Sequence, residues 1–254
     1  MNLRIDGKNA LVTGTAFQRG VGRAIALTLA DEGVNVICVD INGDGAERVA
    51  NEVRSKGVKS MAITVDQGYY VQVCEAVKKA IESFGTIDIL VNNAALTTNL
   101  SLGYQMDVAK WQRDIDVNLS GPYFWIREVF PCMMKQKWGR IINISSVTAL
   151  MGSRSQVSYA SSKGGLISMI KTIAMEGGKY GITANAICPG AIGTDPMLTL
   201  PDEILERHKK RAAIRRLAKP EEIADLVTFL ASDRAAFITG EFIVIDGGQQ
   251  LYIW

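Results

Sequence analysis

The sequence predicts one doubly wound α/β domain over residues 1–254, in which helices cover both faces of a seven-stranded parallel sheet. The first observation is that short Val- and Ile-rich runs alternate with longer amphipathic stretches along the whole chain. The second is that most of the short runs are apolar on both faces, as in strands of a buried parallel sheet. No linker, low-complexity segment or shift in composition divides the chain.

Seven strands are predicted at residues 9–13, 35–40, 58–65, 87–92, 140–145, 182–188 and 241–245. Six helices are predicted at residues 21–32, 45–56, 70–84, 107–134, 159–179 and 221–232. Because helices separate successive strands, the chain is expected to form right-handed βαβ units. Ligands bind such sheets at the carboxyl ends of the strands, where the strand order reverses. We therefore look for chemistry in the segments that follow the strands.

Composition argues against several classes of function. Lys plus Arg is 28 and Asp plus Glu is 26, and a net charge of +2 does not favour a nucleic-acid or membrane partner. The single histidine, His208, excludes a multi-histidine metal site, and no metal is expected. The four widely spaced cysteines are typical of free thiols in a reducing compartment. With no apolar signal segment and no apolar window of about 18 residues, a cytoplasmic location is expected.

A glycine-rich turn after the first strand is a candidate phosphate-binding site. Gly14, Gly20 and Gly22 permit a tight turn, and the following helix offers free N–H groups and a positive dipole end. Asp40 ends the second strand 20 residues after Gly20, where a carboxylate binds ribose hydroxyls and repels a 2′-phosphate. Arg19 favours a 2′-phosphate, but the direct contact of Asp40 carries more weight, so NAD is expected over NADP. A plain structural turn and a capping role for Asp40 are the alternatives.

A tyrosine, a lysine and an upstream serine form the second candidate site. Tyr159 and Lys163 are four residues apart and share a helix face. Ser146 follows the fifth strand, 13 residues before Tyr159. A Tyr–Lys pair at this spacing is weak evidence alone. The pair becomes stronger evidence for a catalytic site because it lies between the fifth and sixth strands, downstream of a serine at a strand end.

In this order and spacing the motifs resemble those of the short-chain dehydrogenase/reductase family, over essentially the whole chain. The matching residues are Thr13, Gly14, Gly20, Val21, Gly22, Asp66, Asn92, Asn93, Ala94, Ala95, Asn118, Ser146, Tyr159, Lys163, residues 189–194, Asp246, Gly247 and Gly248. The resemblance implies a Rossmann-type fold. It also implies an NAD(P)-dependent enzyme that oxidises a secondary alcohol or reduces a ketone, 3-oxoacyl substrates included.

The resemblance also implies catalytic roles. Tyr159 would exchange a proton with the substrate oxygen, and Ser146 would hydrogen-bond that oxygen. Lys163, with the positive nicotinamide ring, would lower the pKa of Tyr159, and it would also hold the nicotinamide ribose. Asn118 would hold a water that relays protons between Lys163 and solvent. Ser145 is the alternative to Ser146 as the catalytic serine.

A larger set of residues is implied in binding the cofactor. Asp66 would accept from the adenine amino group, Asn93 and Ala94 would line the adenosine ribose, and Ile192 and Thr194 would meet the nicotinamide carboxamide. The full set is Gly14, Arg19, Gly20, Val21, Gly22, Asp40, Ile41, Asp66, Gln67, Asn93, Ala94, Tyr159, Lys163, Ile192 and Thr194.

The chain departs from the family pattern at two places. Five residues, rather than the usual three, separate Gly14 from Gly20, and Phe17 among them is bulky. Ala95 replaces the usual glycine. The enlarged loop either folds outward or fills the phosphate site, which leaves a non-catalytic subunit of a hetero-oligomer as the alternative function. Enoyl reductases in the family have longer glycine loops, but their Tyr and Lys are more widely spaced.

Residues 195–217 correspond to the substrate lid of the family. Its basic cluster, which includes His208, Lys209 and Lys210, is interpreted either as a receptor for the phosphates of an acyl thioester or as the solvated face of a lid helix. The second interpretation, the solvated face of a lid helix, is favoured, and His208 is expected at the surface. The substrate is thus expected to be a small alcohol or ketone, or an acyl thioester. A homotetramer is expected, a hetero-oligomer is the alternative, and the apolar tail at residues 251–254 is expected at a subunit contact.

Overall fold

The computed structural model describes residues 2–97 and 99–251. Within them, seven parallel strands form one sheet in the order β3-β2-β1-β4-β5-β6-β7. The strands are β1 (Asn9–Thr13), β2 (Asn35–Asp40), β3 (Ser60–Thr64), β4 (Ile89–Asn92), β5 (Gly139–Ile144), β6 (Ile182–Pro189) and β7 (Phe242–Ile245). The predicted doubly wound fold is therefore confirmed.

In the described part of the chain, ten α-helices connect the strands or extend from the loops at their carboxyl ends. They are α1 (Val21–Asp31), α2 (Gly43–Arg54), α3 (Tyr70–Phe84), α4 (Val108–Ile115), α5 (Gly121–Gln136), α6 (Thr148–Met151), α7 (Val157–Gly177), α8 (Asp195–Leu198), α9 (Asp202–Arg211) and α10 (Pro220–Leu230). The short helices α6, α8 and α9 were not predicted, because none carries a long apolar stripe. Among the described residues, no helix combines the length and apolar composition needed to cross a bilayer.

The sheet separates two hydrophobic cores. Successive side chains of β1 point to opposite faces, so Ala10 and Val12 pack with α1, α2 and α10, while Leu11 packs with α3, α5 and α7. Burying one large aliphatic side chain contributes about 1.5–3 kcal/mol, and both faces of the inner strands contribute. The edge strand β7 differs: Phe242 and Val244 are each 37% exposed. The predicted burial on both faces therefore holds for the inner strands and fails at this edge.

The helix predicted at residues 107–134 is wrong as a single regular helix. A π-helical segment, Asp116–Ser120, separates α4 from α5. Pro122 has no N–H to donate to the carbonyl of Asn118 four residues earlier, which favours a wider turn there. Asn118 lies in this segment and is fully buried. Hydrophobic periodicity did not reveal the interruption because both flanking helices present apolar residues to the same core.

Candidate active site

The strand order reverses between β1 and β4, so a crevice opens at the carboxyl ends of the central strands. The residues that the sequence singled out come from the loops and helices that follow these strands. They form two groups: a serine, a tyrosine and a lysine near the end of β5, and a glycine turn with flanking polar residues near the ends of β1 to β4.

The structure brings Ser146, Tyr159 and Lys163 together. Lys163 Nζ lies 5.6 Å from the ring centroid of Tyr159. Burial raises the pKa of Tyr159, and a hydrogen bond with Ser146 offsets part of that rise. The upward direction is opposite to the lowering expected when Lys163 and an oxidised cofactor act together. In the chain alone, burial therefore favours the neutral, protonated phenol of Tyr159.

Lys163 is buried in the first two turns of α7. Its Nζ donates a hydrogen bond to the carbonyl of Ile144 at 2.7 Å, at the end of β5. Burial lowers the pKa of Lys163 from 10.5 to about 8. The ammonium group is thus fixed beside Tyr159 and releases its proton more easily than an exposed lysine does.

The two adjacent serines have different surroundings. The hydroxyl of Ser145 donates to the carbonyl of Lys163 at 2.8 Å, and the residue is 3% exposed. Ser146 is less buried, and its Oγ accepts from the N–H of Thr148 at 3.1 Å. Because Ser145 is occupied with the backbone of α7, its surroundings favour Ser146 as the serine that meets a substrate.

The side chain of Asn118 holds the loop after β4. Its Oδ1 accepts from the N–H of Leu96 at 2.7 Å, and its Nδ2 donates to the carbonyl of Leu96 at 2.9 Å. Both ends of the amide are therefore used by one backbone unit. The main-chain carbonyl of Asn118 lacks the usual helical donor four residues later, because Pro122 has no N–H.

The glycine turn forms a tight cradle between β1 and α1. Gly14 has φ +74°, and a Cβ there would lie 2.7 Å from the Cα of Ala94. A Cβ on Gly22 would lie 2.1 Å from the carbonyl oxygen of Gly14, so α1 packs directly on the turn. Gly20 and Val21 open α1, whose first N–H groups have no partner within the helix. This cradle fits a pyrophosphate.

In the enlarged loop, Phe17 is 56% exposed, so its ring is not buried in the phosphate cradle. At the end of the loop, the N–H of Arg19 donates to the carboxylate of Asp195 at 3.0 Å, and the N–H of Asp195 donates to the carbonyl of Arg19 at 3.3 Å. The loop is thereby joined to the start of the predicted lid. A cavity of about 380 Å³ lies at this junction and includes the cationic side chains of Arg19, Arg23, Lys209 and Lys219.

Asp40 is fixed at the end of β2. Its Oδ2 accepts from the N–H of Ala16 at 2.9 Å, and its Oδ1 accepts from the N–H of Asn42 at 2.9 Å. Each oxygen keeps a lone pair for a further donor. The neighbouring Ile41 is 63% exposed, which suits an apolar contact with a flat ligand ring.

Asp66 and Gln67 follow β3 and have internal partners. Asp66 forms an ion pair with Arg113 at 2.6 Å and accepts from the N–H of Gly68 at 3.0 Å. Gln67 is 5% exposed; it donates to the carbonyls of Val117 at 2.8 Å and Ala94 at 3.3 Å, and accepts from Trp125 Nε1 at 3.1 Å. Both N–H donors of the Gln67 side chain are therefore used and the side chain is almost fully buried, so a cofactor contact at this position falls to its backbone.

The motif after β4 braces the glycine turn. Asn93 Nδ2 donates to the carbonyls of Thr13 at 2.9 Å and Gly14 at 3.0 Å. The hydroxyl of Thr13 accepts from the N–H groups of Asn93 and Ala94, both at 3.0 Å. Ala95 is exposed and its φ is not positive, so its β-carbon does not strain this loop.

The loop after β6 and the lid complete the crevice. Thr194 precedes α8, and its side chain does not cap that helix, which leaves the hydroxyl for a ligand; Ile192 pairs with Ala218. The lid forms α8 and α9, and α9 has no fully buried residue. Burial, with Arg207 and Arg211, lowers the pKa of His208. Of the apolar tail, only Leu251 lies within the described residues, where it is 67% exposed.

Three residues of the site have structural roles that the sequence did not predict. Thr13 anchors the loop after β4, Asp195 holds the glycine loop, and Asp114 bonds the residue before Tyr159. Only Asp114 gave a usable signal: it lies four residues before Asn118 and so shares its helix face.

Comparison with known proteins gives a consistent result. A family model described as enoyl-(acyl carrier protein) reductase matches residues 14–250. The 3-oxoacyl-(acyl-carrier-protein) reductase FabG of Staphylococcus epidermidis is 41% identical over 246 residues, which cover 96% of this chain and 99% of that protein. FabG of Aquifex aeolicus is 39% identical over 250 residues, which cover 98% and 100%.

A solved structure supports the same assignment. It is described as a short-chain alcohol dehydrogenase from Sinorhizobium meliloti 1021, and it matches with a TM-score of 0.93 and 31% identity over the whole of both chains. The alternative of a non-catalytic subunit has no support among these relatives, whose names are those of enzymes. The chain belongs to the short-chain dehydrogenase/reductase family and is an oxidoreductase that interconverts a ketone and a secondary alcohol with a nicotinamide cofactor.

Proposed function

We propose that the chain is an NAD-dependent dehydrogenase/reductase whose substrates include 3-oxoacyl and 3-hydroxyacyl thioesters. The observation that carries this proposal is the grouping of Ser146, Tyr159 and Lys163 at the carboxyl end of β5. The relatives named as 3-oxoacyl-(acyl-carrier-protein) reductases support the substrate class.

In ketone reduction, Tyr159 donates its phenolic proton to the substrate oxygen. Its raised pKa keeps that proton in place at neutral pH. Ser146 donates a hydrogen bond to the same oxygen and stabilises the charge that develops there. A nicotinamide bound in the crevice would supply the hydride chemistry at the carbonyl carbon, in either direction.

Lys163 restores the proton of Tyr159. Its ammonium group, with a pKa of about 8, exchanges protons readily near neutral pH. A water on the main-chain carbonyl of Asn118 would connect Lys163 to solvent. The Asn118 side chain supports this relay indirectly, because it holds the loop at Leu96.

The preference for NAD rests on Asp40. Its carboxylate is fixed by two backbone N–H groups, and it would accept ribose hydroxyls and repel a 2′-phosphate. Arg19 lies at the end of the enlarged loop with its backbone joined to Asp195. Titration with NADH and NADPH tests this preference by fluorescence. Tighter binding of NADPH would mean that Arg19 outweighs Asp40.

The remaining cofactor contacts are proposed from the positions of the residues in the crevice. Asp66 would accept from the adenine amino group, and the backbone of Gln67 would contact the adenine. Asn93 and Ala94 would line the adenosine ribose, and Ile192 and Thr194 would bind the carboxamide.

The reaction itself is tested with Tyr159→Phe. We expect wild-type protein to oxidise NADH with acetoacetyl-CoA, and the variant to lose at least about 100-fold in kcat with little change in NADH binding. Crotonyl-CoA is assayed in parallel, because the matching family model is described as an enoyl reductase. Turnover of crotonyl-CoA alone would reject ketone reduction of thioesters.

The lid is tested by reversing the charges of Lys209 and Lys210. If the lid cations receive thioester phosphates, the KM for acetoacetyl-CoA rises while kcat for cyclohexanone stays level. Lys209 also borders the cavity beside the glycine loop, so the KM for NADH is measured for each variant. Lys79→Glu on α3 is the matched control. An unchanged KM for the thioester would leave a small alcohol or ketone as the substrate.

A homotetramer is proposed as the assembly, with the β7 edge at a subunit contact. Phe237 is fully exposed, and Phe242 and Val244 are partly exposed at this edge. Removal of residues 251–254 should weaken the assembly. An unchanged tetramer by light scattering would reject a role for the tail.

A further inference from the structure

A buried carboxylate, Asp114, lies behind the tyrosine of the site. It belongs to α4 and is 2% exposed. Its Oδ2 accepts from the hydroxyl of Ser158 at 2.5 Å, and its Oδ1 accepts from Nδ2 of Asn99 at 2.5 Å. Two close donors are the pairing that a buried charge requires, and such bonds are short and strong.

The two donors belong to different walls of the crevice. Ser158 is fully buried, lies in the first turn of α7 and directly precedes Tyr159. Asn99 belongs to the loop between β4 and α4, which Asn118 also holds at Leu96. Asp114 therefore joins the start of α7 to this loop.

A second hydrogen bond also joins the β4–α4 loop to the segment before α7. The N–H of Ser101 donates to the carbonyl of Ser155 at 3.0 Å, so the loop also touches the segment that leads into α7. The first turn of α7 has no side-chain cap of its own at Gln156. The hydrogen bond from Ser158 to Asp114 is thus a side-chain contact that fixes this turn.

Stability alone is a poor explanation for this arrangement. A buried charge costs desolvation energy, and well-packed apolar residues commonly replace such groups without loss of stability. What a short charged hydrogen bond adds is a defined position for its donor. That position is one residue away from the phenol that must meet Ser146, Lys163 and the substrate.

We propose that Asp114 is a positioning residue: through Ser158 it sets the place of Tyr159, and through Asn99 it holds the β4–α4 loop against the same helix. The proposal rests on the assignment of Tyr159 as proton donor. Misplacement of a reacting group by about 1 Å costs up to about 100-fold in rate, so loss of this contact should reduce turnover more than cofactor binding.

The test compares Asp114→Asn, Ser158→Ala and their combination, with acetoacetyl-CoA and NADH. Each single variant should lower kcat about tenfold, and the combination should be no slower than the slower single variant, because both act through one contact. The KM for NADH should stay within about twofold of wild type. Asp116→Asn is the matched control, since this carboxylate on the following turn accepts from Gln112.

Two comparisons keep the proposal separate from the proposed function. If Tyr159→Phe keeps full activity, the assignment of Tyr159 fails. If Tyr159→Phe is inactive but Ser158→Ala loses less than about threefold in kcat, Asp114 is a structural residue and the proposal is wrong. Additive losses at positions 114 and 158 would also overturn it. Ser158→Ala decides the matter should Asp114→Asn fail to fold.

Discussion

Replacing Lys163 with methionine should abolish turnover without destabilising the protein at neutral pH. Methionine follows the lysine side chain as far as Cε and lacks the ammonium group. The residue is 2% exposed, and burial lowers its pKa from 10.5 to about 8. A shift of this size corresponds to about 3 kcal/mol spent on keeping a buried ammonium group charged.

The net effect at pH 7 is smaller than this penalty. The variant leaves the carbonyl of Ile144 without the donor that Lys163 supplies at 2.7 Å, which costs about 1–3 kcal/mol. The free energy of unfolding at pH 7 should therefore stay level or rise by about 2 kcal/mol.

The dependence on pH is the sharper test. Between pH 8 and 10.5 the unfolded chain binds a proton at Lys163 that the folded chain has lost, so the stability of wild type rises with pH in that window. The variant lacks this rise. Its advantage over wild type should fall by about 2 kcal/mol between pH 7 and pH 10.

Urea unfolding of both proteins at several pH values measures this difference. Lys171→Met is the control, because Lys171 is exposed on the same helix. A stability difference that does not change with pH would refute the reasoning, as would a large loss of stability at pH 7.

Three further outcomes are expected. Gly22→Ala places a Cβ 2.1 Å from the carbonyl oxygen of Gly14, so α1 must shift. We expect a loss of about 2 kcal/mol in the free energy of unfolding and at least tenfold weaker NADH binding. Gly178→Ala is the control and should change neither quantity, because a Cβ there meets no atom within 4 Å. Asp40→Asn keeps an acceptor but removes the charge, and should shift the ratio of NADPH to NADH affinity at least about tenfold towards NADPH. Asp195→Ala removes one hydrogen bond from the glycine loop and should weaken NADH binding about fivefold by titration, whereas unchanged affinity would mean that this junction is irrelevant to the cofactor.

The sequence located the strands, and the grouping of Tyr159 with Lys163, for a physical reason. Alternation and apolar runs are local properties, and β1 and β2 were predicted with the bounds that the structure shows. Tyr159 and Lys163 are four residues apart, so they are close together in any helix, wherever that helix lies in the fold. Predicting their proximity therefore required only the prediction of a helix.

The contacts between distant segments were beyond local patterns. Gln67 was expected to meet the cofactor, yet its side chain is occupied by Val117 and Trp125, which lie 50 and 58 residues away. Asp114 bonds Ser158 across 44 residues. Such partners depend on how α4, α5 and α7 pack, and no periodicity encodes that packing.

Gln67 also limits how the protein can be re-engineered. One side-chain amide joins the loop after β4, the π-helical segment that contains Asn118, and α5. A redesign of the ribose pocket at Asp40 leaves these bonds intact. Grafting a new pocket at residues 66–67, the proposed adenine site, would therefore disturb the segment that contains Asn118. The two ends of the proposed cofactor site are mechanically joined through one glutamine side chain.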